Sequence, residues 1–134
     1  MAETKHKGDL AEAIIIAESI KRGYKVALPL GEDWRFDLIV LRHGNLERVQ
    51  CKYTESDGNV IVVMCRSANN WGTIKYTSDD IDWIAVYDKT TDQCYFISSD
   101  FLGKIGRSMI KLRLTKPKNN QIKKVIWARD FTDW

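Results

Sequence analysis

Asp37 stands near the head of one apolar stretch, residues 35–42 (RFDLIVLR), and Gln50-Cys51-Lys52 lies inside the next, residues 46–53 (LERVQCKY). Read as strands, the first puts Asp37, Ile39 and Leu41 on one face. The second puts Arg48, Gln50 and Lys52 on one face. His43-Gly44-Asn45 between them is a hairpin signal. With Gly44-Asn45 as a two-residue turn, Asp37 falls directly across from Lys52 and diagonal to Gln50, within side-chain reach of both. A three-residue loop would set Asp37 across from Cys51 and turn Gln50 and Lys52 to the other face. Gly-Asn is a favoured two-residue turn, so the first register is the expected one.

A carboxylate beside an amide oxygen is a hard donor pair of the kind Mg²⁺ or Mn²⁺ takes, and the Cys51 backbone carbonyl is a further oxygen in the same tripeptide. A divalent cation so held assists phosphodiester hydrolysis by activating water and neutralising charge on the phosphate. Lys52, partly desolvated beside the carboxylate, would orient the attacking water or hold developing negative charge. Glu12 is the candidate second acid. It stacks with Ile16 and Ser19 on a predicted helix and borders an apolar stripe of Leu10, Ile14 and Ala17.

The elements that must position these residues are legible in outline. Residues 8–22 read as a helix capped by Gly23, and 25–28 as a short strand ended by Pro29. After the hairpin come an apolar run from Val60 to Cys65, strands at Trp83 to Tyr87 and Cys94 to Ile97, and a short helix near Phe101 to Lys104 with N-cap candidates at Ser98, Ser99 and Asp100. Met109 to Leu114 alternates as a strand with one apolar face. Residues 66–78 carry no clear pattern, and 121–128 fit a terminal helix or strand. One helix, then strands, then small late helices give an α/β domain around a mixed sheet, and no boundary divides residues 1–134.

Composition narrows the class. Hydrophobic residues at 44% and charged residues at 29% exclude a disordered chain. No apolar run approaches membrane-span length, and the N-terminus lacks the apolar core of a secretory signal. Three separated cysteines offer neither a disulfide framework nor a C-x-x-C metal pair, so a cytoplasmic setting and no membrane partner are expected. His6 and His43 are too few and too separated for a zinc site. Net charge is only +3, but nine cations and no acid lie between Lys104 and Arg129. Such a one-signed stretch suits a polyanion, although a solvated basic face is about as common.

At these residues the sequence resembles the PD-(D/E)XK nuclease superfamily. Gly8-x-x-x-Glu12 matches the helical acid, Phe36-Asp37-Leu38-Ile39-Val40 the metal-binding aspartate opening an apolar strand, and Gln50-Cys51-Lys52 the last motif in its Q-x-K form. Within the superfamily it is most similar to small bacterial intron-encoded homing endonucleases, then to Holliday-junction resolvases. The resemblance implies a restriction-endonuclease-like core with a mixed sheet flanked by helices, Mg²⁺ dependence, a homodimer or homotetramer, and double-stranded DNA as substrate. Phe36 stands where the name-giving proline would be, and Gln50 replaces the commoner acid, removing one negative charge from the metal site. Each piece alone is unspecific, since a helical Glu is usually a solvated charge and Q-x-K is a common tripeptide; the joint order on helix, strand and strand carries the weight.

The expected site is therefore Glu12, Asp37, Gln50 and Lys52 for chemistry, with Glu12, Asp37, Gln50 and the Cys51 carbonyl on the metal. Lys5, Lys7, Arg66, Trp71, Lys116, Lys118, Lys123 and Lys124 are the expected DNA contacts. The remaining tryptophans are expected mostly in the core. The alternative of a different class is a non-catalytic DNA-binding module of the same fold.

Overall fold

The computed structural model describes residues 2–69, 72–119 and 123–134. Helix α1 (Ala2–Lys21) starts six residues before the predicted boundary and ends where expected. Its end is a Schellman cap: Gly23 at φ +88° donates to the Ile20 carbonyl and Tyr24 to the Ser19 carbonyl. The buried stripe is Ala11, Ile15 and Ser19, not Leu10, Ile14 and Ala17. Three consecutive isoleucines left the apolar period ambiguous. Ser19 tolerates full burial because its hydroxyl donates to the Ile15 carbonyl at 2.7 Å.

Five strands form the main sheet: β1 (Lys25–Ala27), β2 (Leu38–Arg42), β3 (Asn45–Thr54), then β4 (Val60–Met64) outside it, and β7 (Trp83–Asp88) and β8 (Gln93–Ser98) completing it. The order is β1-β2-β3-β7-β8, with β3 and β7 parallel and the other neighbours antiparallel. A mixed sheet results, as expected. Helix α1 covers one face, where Ala11 and Ile15 pack with Leu38, Val40, Val49 and Phe96. The other face is covered by strand rather than helix. There β4 pairs with β9 (Met109–Arg113), and Ile61, Val63, Ile110 and Leu112 pack on Ile84 and Val86 of β7. Along β9, Ile110 and Leu112 are fully buried while Met109 and Lys111 face out, the predicted alternation.

The segment without a sequence pattern is a second hairpin, β5 (Arg66–Asn69) with β6 (Gly72–Lys75). Of the terminal stretch, residues 120–122 lie outside the described residues. Beyond them residues 123–126 form neither helix nor strand, Trp127 makes an isolated bridge to Arg113, and a 3₁₀ turn (Ala128–Phe131) follows the stretch where a helix or strand was expected. The short helix near Phe101 is likewise 3₁₀ (Ser99–Phe101), capped by the Ser98 hydroxyl, which accepts from the Asp100 amide.

The turn between β2 and β3 corrects the predicted register. It is formed by His43 and Gly44, at φ +52° and +81°, and Asn45 already belongs to β3, paired with Arg42. Positive φ at both central residues is the type I′ requirement, which matches the twist of the flanking strands. The hairpin therefore slips by two residues from the predicted one. Leu38 faces Val49, where the ladder ends, and the Asp37 amide donates to that same Val49 carbonyl, so Asp37 is not set across from Lys52. A slip of two preserves which face each side chain occupies.

At the far end of the parallel pair, Asp88 is fully buried and accepts five hydrogen bonds, from Thr54, Ser56 and Thr91. Burial pushes its carboxyl up, but these donors outweigh that and leave its pKa below the usual value. Asp88→Ala should cost on the order of 3 kcal/mol, because several donors lose their acceptor at once. A depressed pKa stabilises above the unfolded value and is lost as pH falls through it. The wild-type advantage in urea denaturation is therefore full at neutral pH and shrinks below about pH 4.

Candidate active site

Strand β3 continues past the start of β2, and this difference in length creates the site. Residues 49 and 51 direct their backbone groups toward β2. The Val49 carbonyl accepts from the Asp37 amide at 2.8 Å, and that is the last ladder bond of the pair. Two residues on, the Cys51 amide finds no strand and donates instead to Asp37 Oδ2 at 2.9 Å. The aspartate thus replaces the missing strand and is fixed by it. The Cys51 carbonyl points the same way as its amide, beyond the end of β2, as the expected ligand set requires.

Asp37 is largely withdrawn from water. Burial raises its pKa, opposed by the Cys51 N–H and by the charge of Lys52. Glu12, from the helix side of the sheet, is also raised, first by burial and then by the charge of Asp37. Glu12 and Asp37 line one cavity of about 320 Å³ whose other wall is the loop from Leu28 to Phe36. Two carboxylates therefore share a concavity, each making ionisation of the site harder.

The opposite face of β3 supplies the rest. Gln50 is almost fully buried, and none of the described residues hydrogen-bonds its amide. Lys52 reaches between the sheets, donating from Nζ to the Arg66 carbonyl at 3.2 Å, with its ammonium 5.1 Å from the centre of the Tyr76 ring. Burial lowers its pKa and Asp37 pulls it back up. No ion pair forms between them, since neither Asp37 nor Lys52 has an opposite charge within 4.0 Å among the described residues. Glu12 and Asp37 thus share one cavity, and Lys52 is near enough to Asp37 for the two charges to act on each other.

Among the described residues no three His, Cys, Asp or Glu side chains cluster as a metal site. A cation here would need the Gln50 amide and the Cys51 carbonyl besides the two acids. The two carboxyls, the Gln50 amide oxygen and a backbone carbonyl are all oxygen donors of the kind such a cation takes.

The expected DNA contacts are not one surface. Lys5 pairs with Asp9 at 3.4 Å, and Lys7 with Glu55 at 3.3 Å and Glu3 at 3.5 Å. Both are partly neutralised within the chain. Arg66 is exposed on β5. Lys123 and Lys124 line a cavity of about 460 Å³, whereas Lys116 and Lys118 line a separate one that also contains Asp57. Trp71 lies outside the described residues.

Against the expectation that most tryptophans are core, Trp34 is 52% exposed, on the loop that walls the acidic cavity. Its indole N–H donates to the Leu30 carbonyl at 2.8 Å and its ring meets Phe36 edge-on at 5.3 Å, so the exposed ring is held in place. Its place in a loop three residues before Asp37 was the available signal.

Comparison with known proteins agrees with this geometry. No curated protein matches the chain. Among solved structures it is similar to a bacterial homing endonuclease, I-Ssp6803I, at 27% identity and a TM-score of 0.64, over 90% of this chain and 83% of that one. The sequence model of the PD-(D/E)XK endonucleases matches residues 2–134, nearly the whole chain, and the chain belongs to that family.

Proposed function

We propose that this protein is a metal-dependent endodeoxyribonuclease that hydrolyses phosphodiester bonds in double-stranded DNA, of the sequence-specific homing type. The observation that carries the reading is the convergence of Glu12 and Asp37 on one cavity, with Lys52 anchored nearby by the Arg66 carbonyl and making no ion pair among the described residues. The homing reading rests on the likeness to the bacterial homing endonuclease I-Ssp6803I.

Glu12, Asp37, Gln50 and the Cys51 carbonyl would hold Mg²⁺ or Mn²⁺, which supplies activation of water and neutralisation of phosphate charge. The remaining work belongs to the chain. Asp37 is locked by the Cys51 N–H, so its orientation is set before substrate arrives. Lys52 is held by the Arg66 carbonyl and the Tyr76 ring at a fixed distance from the acids, where its ammonium can orient the attacking water or stabilise negative charge developing on the phosphate. Arg66, Lys116, Lys118, Lys123 and Lys124 would contact backbone phosphates, which position the duplex without reading its sequence.

The direct test is cleavage of duplex DNA and of a four-way junction. Cutting should require Mg²⁺ or Mn²⁺ and stop on chelation. Preference for the junction would replace the homing assignment with a resolvase, and no cutting of either would favour a DNA-binding module.

Each chain offers one such site, and cutting both strands of a duplex calls for two. A symmetric dimer or pair of dimers is the expected assembly. Light scattering showing a monomer at concentrations that still yield double-strand breaks would contradict it.

A further inference from the structure

The cations of the late basic segment are not scattered. Arg107, Lys111, Arg113, Lys123 and Lys124 line the same cavity of about 460 Å³ on the outer face of β9, and no acidic residue is in its wall. None of the five has a carboxylate within 4.0 Å among the described residues. The two arginines spend only their Nε protons inside the chain, on the Met109 and Thr115 carbonyls. Five like charges around one hollow repel one another in the free protein, a cost that a bound polyanion removes.

This hollow is joined to the catalytic centre. The ammonium of Lys52 lies over the Tyr76 ring. Gly106 sits on the same segment so closely that a Cβ there would meet the Tyr76 carbonyl at 2.9 Å and the Lys75 Cβ at 3.1 Å. Arg107 follows directly, so Lys75 at the end of β6 and Arg107 before β9 are neighbours. From there β9 carries Lys111 and Arg113 on its outward side, successive outward positions being about 6.6 Å apart.

We propose that Lys75, Arg107, Lys111, Arg113, Lys123 and Lys124 form one continuous track for the DNA phosphate backbone, leading from the catalytic centre to the hollow on the second sheet. The proposal rests on the nuclease reading for its substrate and goes beyond it in assigning residues and a path. DNA flanking the cut lies along the outer face of β9, away from the acidic cavity.

The test is binding, measured without metal so that it does not depend on cleavage. A labelled random-sequence duplex is titrated with wild type, with Lys111→Glu/Lys123→Glu, and with Lys25→Glu as a control, an exposed cation on β1 that lines neither basic cavity. Lys111 and Lys123 are exposed and make no hydrogen bond or ion pair among the described residues, so the double variant should fold. If circular dichroism shows that it does not, Lys111→Gln/Lys123→Gln takes its place. Each phosphate contact contributes roughly 0.9 to the slope of log affinity against log salt, so the double variant should lose about 1.8 from it. Replacing chloride by inorganic phosphate at equal ionic strength should displace no more DNA than chloride does.

An unchanged slope overturns the track even if wild type cleaves DNA. Preferential displacement by phosphate overturns it in favour of a small-anion site. A reduced slope in a protein that cuts nothing leaves the track standing and rejects the nuclease reading alone.

Discussion

Asp37→Ala is expected to abolish cleavage while leaving duplex affinity within a few-fold of wild type. The side chain touches neither cavity lined by the late basic segment, so binding through phosphate contacts is untouched. What it removes is one of the four acids lining the acidic cavity (Glu12, Glu32, Asp33 and Asp37) and the acceptor that fixes the Cys51 amide. Metal assistance to phosphodiester hydrolysis is worth several kcal/mol of charge stabilisation, and about 4 kcal/mol corresponds to a thousandfold in rate. A single-turnover rate within tenfold of wild type in saturating Mg²⁺ would dismiss the site.

The isosteric Asp37→Asn separates chemistry from folding. It keeps an oxygen for the Cys51 N–H and removes the charge. Burial has raised the folded pKa of Asp37, so its stabilising contribution is full below about pH 3.8 and is lost as pH rises through the folded value. At neutral pH the ionised aspartate is therefore a cost. The metal-free Asn variant should melt higher than wild type at pH 7, with the gap closing toward pH 3. The same sign holds for Glu12, raised by burial and by Asp37. Both carboxylates are therefore ionised at a cost to stability at neutral pH, a cost that a bound cation would offset.

How much of this could be read in the sequence depends on which physical period each part obeys. Strands with two-residue alternation, such as Met109–Arg113 and residues 38–42, were legible because one face is buried. That Gln50 and Lys52 share one face of β3 was legible for the same reason: it depends on parity within the strand, which the slip from Gly44-Asn45 to His43-Gly44 does not alter. The turn itself was misread because His43 adopts a left-handed backbone that its residue type does not advertise. The helical stripe was misread by one position because Ile14, Ile15 and Ile16 satisfy more than one phase, and the buried line closes on a serine. The hairpin of β5 and β6 could not be seen at all. Its strands, RSAN and GTIK, are four residues each and carry no alternation of apolar and polar residues long enough to betray them. The grouping of the basic residues was also beyond sequence: Lys116 and Lys118 are near Lys123 in the chain but open onto another cavity, shared with Asp57.

Lys52→Met should lower the single-turnover cleavage rate by about 10²–10³-fold, the usual loss when one aligned stabiliser of developing charge is removed. Affinity for the duplex and the Mg²⁺ requirement should stay near wild type, because Lys52 donates to a backbone carbonyl and sits over a ring rather than pairing with either acid. Methionine keeps most of the stem and its packing on Tyr76, so a fall in rate cannot be assigned to a cavity. Folding gives the independent readout. Burial lowers the pKa of Lys52, which means the folded chain favours the neutral amine. The charged form penalises folding fully below the folded pKa, and the penalty fades as pH rises toward the ordinary lysine value near 10.5. Lys52→Met should therefore be at least as stable as wild type at pH 7, and the difference should narrow in alkaline buffer. A variant that is both slower and less stable at pH 7 would show Lys52 to be a structural clamp between β3 and β5, and would remove it from the chemistry. A variant slower by two orders of magnitude and no less stable leaves the ammonium beside the acids as the only part whose loss explains the rate.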